Sequence, residues 1–217
     1  MLEQRPPRKA KGGGRPTRKE SQSRLLMVQQ VAKRNFLSVG YPETSLDEIA
    51  RQSGIAKKTI YSRFGSKAGL FRAILDSLQR SWIAELEDIV IESKRPESVL
   101  EAAALHLLDV GTRADMIELH RLLLIESRRF ADLVDGVYGK QGRLTGMEPL
   151  SDYLRLAVEK GLLEIEDIPL ATEQFVHLVL GGVRERIFHG VAKRPNAPSR
   201  TRVAKQAVKI FLTGCRV

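Results

Sequence analysis

The sequence predicts an all-α protein with two parts, a helix-turn-helix domain of three helices followed by a helical bundle. Three observations lead to this prediction. Apolar residues recur at helical spacing along most of the 217 residues. Period-two runs of Val, Ile and Thr, which would predict strands, are nearly absent. Residues 1–80 contain 17 Lys and Arg against 6 Asp and Glu, whereas residues 81–217 contain 19 against 20. A basic module joined to a neutral one is typical of a nucleic-acid-binding protein with a second task.

The overall composition sets limits on the class of protein. Hydrophobic residues make up 42% of the chain, enough to bury a core. The net charge of +10 alone does not choose between nucleic acid, a membrane surface and plain solubility. The single cysteine, Cys215, excludes an internal disulfide and is typical of a reducing compartment. No apolar run is long enough to span a membrane and none follows the basic N-terminus, so we expect a cytoplasmic protein without a secretory signal.

Residues 1–19 are predicted to form a disordered basic arm. The segment combines prolines, three consecutive glycines and many positive charges, a composition that cannot bury a core. It is either a solubilising or cloning-derived tail or an arm that lies along DNA. Arginines on flexible arms can enter a narrow minor groove, where the potential is most negative. Arg15 and Arg18 lie nearest to the folded part and are the candidates for this contact.

Residues 20–80 are predicted to form the helix-turn-helix domain. The first helix ends at Gly40 and carries Leu25, Val28, Ala32, Phe36 and Val39 at helical spacing. Ser45 and Glu48 have the spacing of a capping box, which opens a second helix that ends at Gly54. A third helix spans about residues 57–64. A fourth begins near Lys67 behind Ser66 as N-cap and runs to about residue 92.

Residues 81–217 are predicted to form a second, neutral and helical domain. Pro96 marks the start of its first new helix. Helices are expected at about residues 96–110, 114–128, 146–160, 169–189 and 199–213. The four glycines within residues 135–146 predict a flexible loop.

The segment "SGIAKKTIYSRFGSKAGLF" has the pattern of a helix-turn-helix. Gly54 supplies a backbone that accepts the unusual dihedral angles of a tight turn. Ile60 and Phe64 lie at i and i+4 and are expected to face the interior. The outward face of this short helix then carries Lys57, Lys58, Tyr61 and Ser62. A helix of this size fits the major groove of DNA, with its N-terminal residues closest to the bases.

The chemistry of these side chains suggests their roles. Lys57 or Lys58 could donate to guanine or to phosphate, Thr59 could contact phosphate or a thymine methyl, and Tyr61 could reach a phosphate oxygen. Helix N-termini, whose free N–H groups favour phosphate, occur at Ser45 with Thr44 and again at Lys67. Taken singly, exposed lysines are usually solvated, a tyrosine usually packs, and a serine can be only a cap. The coincidence of turn, cap, basic face and basic arm favours DNA binding.

The stretch "TSLDEIARQSGIAKKTIYSRFGSKAGLF" resembles the DNA-binding domain of the tetracycline-repressor (TetR) family of bacterial regulators, over roughly residues 25–71. The positions that fit the family pattern are Gly54-Ile55-Ala56, Thr59-Ile60-Tyr61, Phe64, Ser66-Lys67 and Leu70-Phe71. Ala56 departs from the usual Ser or Thr and cannot cap the third helix, at a cost of about 1 kcal/mol. Lys58 replaces a common glycine, and Ser62-Arg63 replaces a frequent Tyr/His-His pair, so we expect a different base preference.

The stretches "HRLLLIESRRFADLVDGVYGKQG" and "LSDYLRLAVEKGLLEIEDIPLATEQFVHLVLGGV" resemble the AefR-like type of C-terminal domain in this family. The resemblance implies a small-molecule pocket, a dimer interface and a ligand-responsive repressor that binds a palindromic operator. The polar-tipped or aromatic candidates for the pocket are Trp82, His106, His120, Tyr138, Tyr153 and His177. For any single one of them, core packing or surface exposure is an alternative.

Dimerisation is also expected because paired half-sites about 34–36 Å apart are the usual solution for a helix-turn-helix that buries little DNA surface. The last two predicted helices are candidates for the contact, and Gly181-Gly182 permits close helix approach. The candidate residues are Phe175, Leu178, Val179, Gly182, Ile187, Val203, Ala207, Ile210 and Phe211. The alternative is that these residues belong to the intramolecular core, and we expect this of about half of them.

The sequence predicts no enzyme, because it contains no HExxH or CxxC motif and no arrangement of Ser, His and Asp that signals a nucleophile. No metal or cofactor is expected. The predicted partners are double-stranded operator DNA, a second copy of the chain and an unknown small-molecule effector, with no membrane. Two rival functions are a nonspecific nucleic-acid-binding or architectural protein and a helical enzyme with a DNA-targeting tail.

Overall fold

A computed structural model describes residues 17–91, 95–127 and 146–215, and these ranges form nine α-helices and no strand. The helices are α1 (Arg18–Val39), α2 (Leu46–Ser53), α3 (Lys57–Phe64), α4 (Lys67–Ile91), α5 (Pro96–Gly111), α6 (Ala114–Glu126), α7 (Glu148–Glu159), α8 (Ile168–Phe188) and α9 (Ala197–Cys215). The prediction of an all-α fold is confirmed. Arg15, Tyr138 and all of the predicted 135–146 loop except Gly146 lie outside the described residues.

Helix α1 begins at Arg18, well before the apolar spacing that starts at Leu25. Thr17 and Glu20 form a reciprocal capping box. The Glu20 N–H donates to Thr17 Oγ1 at 3.2 Å, and the Thr17 N–H donates to Glu20 Oε2 at 2.8 Å. The first turn of α1 is solvent-exposed, so it carries no apolar periodicity, and the spacing that begins at Leu25 marks only the later turns of the helix. The last two residues of the predicted 1–19 arm are therefore helical.

The helix-turn-helix is built as its turn residues predict. Gly54 ends α2 at a φ of +67°, a left-handed conformation that favours glycine. Ser45 caps α2 by accepting from the Glu48 N–H at 3.1 Å, but the Glu48 carboxylate accepts from Arg51 and Gln52. Ser66 caps α4 by accepting from the Gly69 N–H at 3.0 Å.

The N-terminal hydrophobic core lies between α1, α2, α3 and α4. Three aromatic rings form its centre, those of Phe36, Tyr41 and Phe71, with centroids 5.3–5.5 Å apart. Ile49 and Ile60 are buried beside them. Three leucines of α6 also belong to this core, namely Leu119, Leu122 and Leu123. The DNA-binding part therefore depends on a helix that lies far away in sequence.

The C-terminal core is centred on α5, which packs against α8 and α9. Leu100, Leu107 and Phe175 are completely buried in it. Helix α4 joins the two cores, because Leu70 near its start lies in the N-terminal core and Leu86 lies in the C-terminal core. The predicted boundary between residues 80 and 81 falls inside this continuous helix. Within the described ranges, none of the helices has the length and apolar character needed to cross a bilayer.

Candidate nucleic-acid interface and internal cavity

Helix α3 presents the face that the sequence predicted. Ile60 is 1% exposed, and Phe64 packs partly buried against the N-terminal core. All five predicted contact residues of α3 are exposed, namely Lys57, Lys58, Thr59, Tyr61 and Ser62. The N-cap position of α3 is Ala56, and its side chain makes no capping hydrogen bond. The first turn of α3 therefore lacks a side-chain cap and carries two exposed lysines, while its Thr59 N–H donates to the Ala56 carbonyl at 2.8 Å.

The two lysines of α3 differ in their surroundings. Lys57 Nζ lies 2.6 Å from Asp47 Oδ1 of α2 and 5.7 Å from the centroid of the Tyr61 ring. The hydrogen bond to Asp47 raises the pKa of Lys57. Within the described part of the chain, no ion pair or hydrogen bond involves the Lys58 ammonium. A contact from Lys58 to DNA would break no internal ion pair, whereas a contact from Lys57 would break its pair with Asp47. The sequence did not predict Asp47 as a partner of Lys57.

Two further predicted contact residues are also exposed. Ser45 is exposed at the N-terminus of α2, where its hydroxyl caps the helix. Arg18 is exposed in the first turn of α1. Thr44 is different, because it is 4% exposed and its hydroxyl donates to the Gly40 carbonyl at 2.7 Å. This bond corrects the predicted role of the Thr44 side chain, which closes the turn between α1 and α2.

Lys67 also has a different role from the predicted phosphate contact. Its ammonium donates to the carbonyl oxygens of Tyr41, Pro42 and Thr44, at 2.7, 3.0 and 3.0 Å. It also lies 4.7 Å from the centroid of the Tyr41 ring. An ammonium group has three protons, so all of them are engaged inside the protein. Lys67 therefore ties the start of α4 to the turn that precedes α2, and this correction makes it a positioning residue.

A partly open cavity of about 240 Å³ lies between α4, α6 and α8. Its apolar wall includes Leu75 and Leu78 of α4, Leu119 and Leu123 of α6, and Leu180 of α8. The predicted pocket residues Trp82, His120 and His177 line it. Arg113 and Arg184 also line it, and the sequence analysis missed both of them.

Two predicted pocket residues are corrected. His106 is not among the residues that line the cavity, because its ring packs behind Trp82 with centroids 6.2 Å apart, and its Nδ1 lies 3.6 Å from a Glu85 oxygen. Tyr153 is 7% exposed and belongs to the C-terminal core. Its hydroxyl is buried there without a hydrogen-bond partner among the described residues.

Two polar groups on the cavity wall have unusual properties. Burial, together with the positive charge of Arg184, lowers the pKa of His120 to about 4, so the imidazole is neutral at neutral pH. The indole Nε1 of Trp82 is buried and has no hydrogen-bond partner within the described ranges. An indole can only donate, so this group can be satisfied only by an acceptor.

A chain of ion pairs connects the cavity wall to the DNA-binding part. Arg113 donates to Asp115 through Nε at 3.3 Å and through Nη2 at 3.1 Å. The other partner of Asp115 is Lys33 of α1, whose Nζ lies 2.6 Å from Oδ2. Partial burial raises the pKa of the Asp115 carboxyl, but the hydrogen bonds from Lys33 and Arg113 outweigh it and lower the pKa. A single carboxylate thus holds one cation on α1 and another at the cavity.

The predicted dimer residues on α8 and α9 separate into two groups. Phe175, Val179, Ala207 and Phe211 are buried in the C-terminal core, and Ile187 and Val203 pack against it. These six are corrected to core residues, because their side chains lie in the C-terminal core or pack against it. Leu178, Gly182 and Ile210 are exposed, with 39% of Leu178 and 50% of Ile210 accessible to solvent.

Comparison with known proteins agrees with this architecture. Residues 30–74 match the family described as bacterial regulatory proteins, tetR family, and residues 98–214 match the AefR-like transcriptional repressor C-terminal domain. AcrR of Shigella flexneri, an HTH-type transcriptional regulator, is 36% identical over 115 residues, which cover 52% of this chain and 51% of AcrR. The chain thus matches about half the length of that curated relative.

Solved structures share the fold over nearly the whole chain. A TetR-family transcriptional regulator from Mesorhizobium loti superimposes with a TM-score of 0.81 at 24% identity, covering 93% of this chain and 100% of that one. The flavonoid-responsive regulator FrrA superimposes with a TM-score of 0.68 at 26% identity, covering 90% of this chain and 98% of that one.

The exposed basic helix-turn-helix and these matches define a DNA-binding transcriptional regulator, a class of proteins that are not enzymes. The two matched segments together account for most of the described residues. The chain belongs to the TetR family of bacterial regulators and carries a C-terminal domain of the AefR-like type.

Proposed function

We propose that this protein is a ligand-responsive repressor that binds a palindromic operator as a homodimer in the bacterial cytoplasm. The observation that carries the proposal is the face of α3, where a buried Ile60 leaves two lysines, a tyrosine and small hydroxyl residues exposed on one short helix. A helix of that width enters the major groove, and its first residues approach the base edges.

The proposed division of labour on DNA follows the surroundings of each group. Lys58, Thr59 and Ser62 face bases and nearby phosphates, since they are exposed on α3. Lys57 and Tyr61 contact phosphate. On binding DNA, Lys57 leaves its ion pair with Asp47 and pairs with the DNA backbone. Ser45 lies at the N-terminus of α2, whose N–H groups favour a phosphate. Arg18, and Arg15 in the arm before it, reach the flanking minor groove.

Two glycines of α8 support dimerisation. A glycine inside a helix costs roughly 0.5–1 kcal/mol relative to alanine, so it usually has a packing reason. A Cβ at Gly181 would meet nothing within 4 Å, and one at Gly182 would meet only the end of the Arg186 side chain, at 3.4 Å. The packing of a single chain therefore does not require either glycine. An approaching partner helix would require them, and exposed Leu178 and Ile210 would flank the contact.

The proposed effector site is the cavity between α4, α6 and α8, because some of the residues that line it also belong to the N-terminal core. Leu119 and Leu123 of α6 line the cavity and also belong to the N-terminal core. Asp115 at the start of the same helix holds Lys33 of α1 at 2.6 Å. A ligand that shifts α6 would act on both contacts and so on the spacing of the two α3 helices. A differential affinity of about 1–3 kcal/mol for the two states would suffice. The name of FrrA, a flavonoid-responsive regulator, supports a small organic effector here.

The test of DNA binding is genomic footprinting with the purified protein, followed by mobility-shift titration of the fragments found. We expect protection of a symmetric site with half-sites about 34–36 Å apart. The double variant Lys57→Glu/Lys58→Glu should abolish the footprint and leave the far-UV circular dichroism spectrum unchanged. Its matched control is Lys160→Glu/Lys193→Glu, which makes the same charge change at exposed positions away from α3. Protection without sequence preference would instead identify a nonspecific nucleic-acid-binding protein.

A further inference from the structure

Among the described residues, the wall of the cavity carries more positive than negative charge. Arg113 and Arg184 line it, and Glu85 is the one carboxylate among its lining residues in the described ranges. Glu85 is turned toward other groups, since one of its oxygens lies 3.6 Å from His106 Nδ1 and the other accepts from the Ser81 hydroxyl at 3.3 Å. The uncharged His120 imidazole does not add to the charge at neutral pH. The described wall is therefore mostly apolar, and its charged side chains carry a net positive charge.

Arg113 is the cation best suited to receive a ligand. Only its Nε and Nη2 donate to Asp115, and a guanidinium has five N–H donors, so three remain outside that pair. Asp115 also pairs with Lys33. The group of Lys33, Asp115 and Arg113 therefore has a net charge of one positive unit. Arg113 is also the N-cap residue of α6 and makes no side-chain cap, so the positive end of a 13-residue helix adds to its field.

Trp82 adds an aromatic side chain to the same wall. Its indole Nε1 is buried, so the side chain contributes apolar surface to the cavity and no hydrogen-bond donor.

We propose that the cavity binds an apolar-bodied organic anion, whose acidic group is held by Arg113 and whose body lies against the leucines of α4, α6 and α8 and the side chain of Trp82. This inference rests on the proposed function, in which the cavity is the effector site. It adds the chemical class of the effector: a carboxylate, sulfonate or phenolate of an aromatic or aliphatic skeleton, and not an amine or an uncharged hydrocarbon. An acid at Arg113 competes with Asp115, so the ligand acts on the carboxylate that holds α1.

The experiment compares two fluorescent probes with one skeleton, anilinonaphthalene sulfonate and the uncharged N-phenylnaphthylamine. Trp82 is the single tryptophan of the chain, so energy transfer from it reports probes that bind beside the cavity wall. We expect the full-length protein to bind the sulfonate about tenfold more tightly than the uncharged probe, as one hydrogen bond to a charged group would give. Arg113→Gln should remove this preference, and Arg113→Lys, which keeps the charge, should keep part of it.

The matched control is Arg155→Gln, which removes an exposed arginine of α7 outside the cavity. It should change neither affinity by more than about twofold. Unchanged affinity for the uncharged probe in each variant shows that the cavity is intact. Equal affinity of the wild-type protein for the two probes would overturn the inference even if an arginine variant did not fold.

The outcomes separate this inference from the function on which it rests. If the two probes accept energy from Trp82 and bind with equal affinity, the anion preference is wrong and the cavity is still a ligand site. The same conclusion follows if Arg113→Gln and Arg155→Gln change the affinity for the sulfonate equally. If neither probe accepts energy from Trp82, both the inference and the effector part of the proposed function fail. Footprinting is a separate measurement, so DNA binding is judged independently of both.

Discussion

The substitution Lys67→Met tests whether this lysine positions the helix-turn-helix or contacts DNA itself. Methionine keeps the apolar stem and removes the ammonium. The change breaks three hydrogen bonds of 2.7–3.0 Å to the carbonyls of residues 41, 42 and 44, and a ring contact at 4.7 Å. Hydrogen bonds to a charged group contribute about 1.5–3 kcal/mol each when isolated, but such values are not additive and these groups are partly accessible to solvent.

The burial of the ammonium opposes these bonds. Partial desolvation lowers the pKa of Lys67, whereas the nearby carboxylates of Glu126 and Glu43 raise it, and the net direction is downward. The ammonium is therefore held at some desolvation cost, and we expect a net loss of about 2 kcal/mol in the free energy of unfolding. For a chain of this size such a loss lowers the Tm by about 4–8 °C.

Two assays separate the roles of Lys67, thermal unfolding and the salt dependence of operator binding. Lys67→Met should lower the Tm and weaken operator binding without changing the slope of log K against log salt, because no phosphate contact is lost. The control Lys58→Met removes an exposed ammonium from α3 and should leave the Tm unchanged. An unchanged Tm for Lys67→Met, together with a salt slope smaller by about one, would show that Lys67 contacts phosphate and that the positioning role is wrong.

Four other outcomes are expected. Lys58→Ala should relax preference at one operator position in a binding-site selection and cost about 1–3 kcal/mol, and an even loss across sequences would contradict base reading. Ala56→Ser should supply the missing side-chain cap of α3 and raise the free energy of unfolding in urea by about 1 kcal/mol; no gain would mean that the bond from the Thr59 N–H to the residue 56 carbonyl already closes the first turn. The folded-state pKa of His120 lies below its unfolded value of 6.5, so the stability it contributes is present above that pH and lost as the pH falls toward 4. The loss of unfolding free energy from His120 between about pH 7 and pH 5 is about 1 kcal/mol after allowance for the partial exposure of the ring. His120→Gln should therefore make the urea midpoint fall less steeply over this pH range. An unchanged slope would exclude His120 as the source of the pH dependence. Leu178→Asp should convert the dimer to monomer in sedimentation velocity, and Leu156→Asp, at a similarly exposed position on α7, should not; equal behaviour would rule out the α8 contact.

The helix-turn-helix could be predicted from sequence because each of its boundaries has a local chemical cause. Gly54 can adopt a positive φ at little cost, and Ser45 and Ser66 each accept from an N–H group three residues later. Ile60 is then fixed inward, and this leaves the basic face outward. These signals act over a few residues, so a single sequence contains all of them.

The role of Lys67 could not be predicted, because its partners are backbone carbonyls 23 to 26 positions away. Carbonyl groups occur at every residue and leave no pattern in a sequence. The same limit applies to the cavity. Arg113 looks like one more solvated charge until the fold places it on the cavity wall, while Tyr153 looks like a pocket residue until the fold places it in the core.

The three α6 leucines in the N-terminal core have a consequence for engineering. A hybrid regulator made by joining the first 80 residues to the effector part of a relative would pack the N-terminal core against a foreign helix surface. Such hybrids should misfold or stay locked in one state unless Leu119, Leu122 and Leu123 are transplanted with the DNA-reading segment. Recombination between relatives would then succeed only among chains whose sixth helix is interchangeable, and this would tie the evolution of operator choice to that of effector choice.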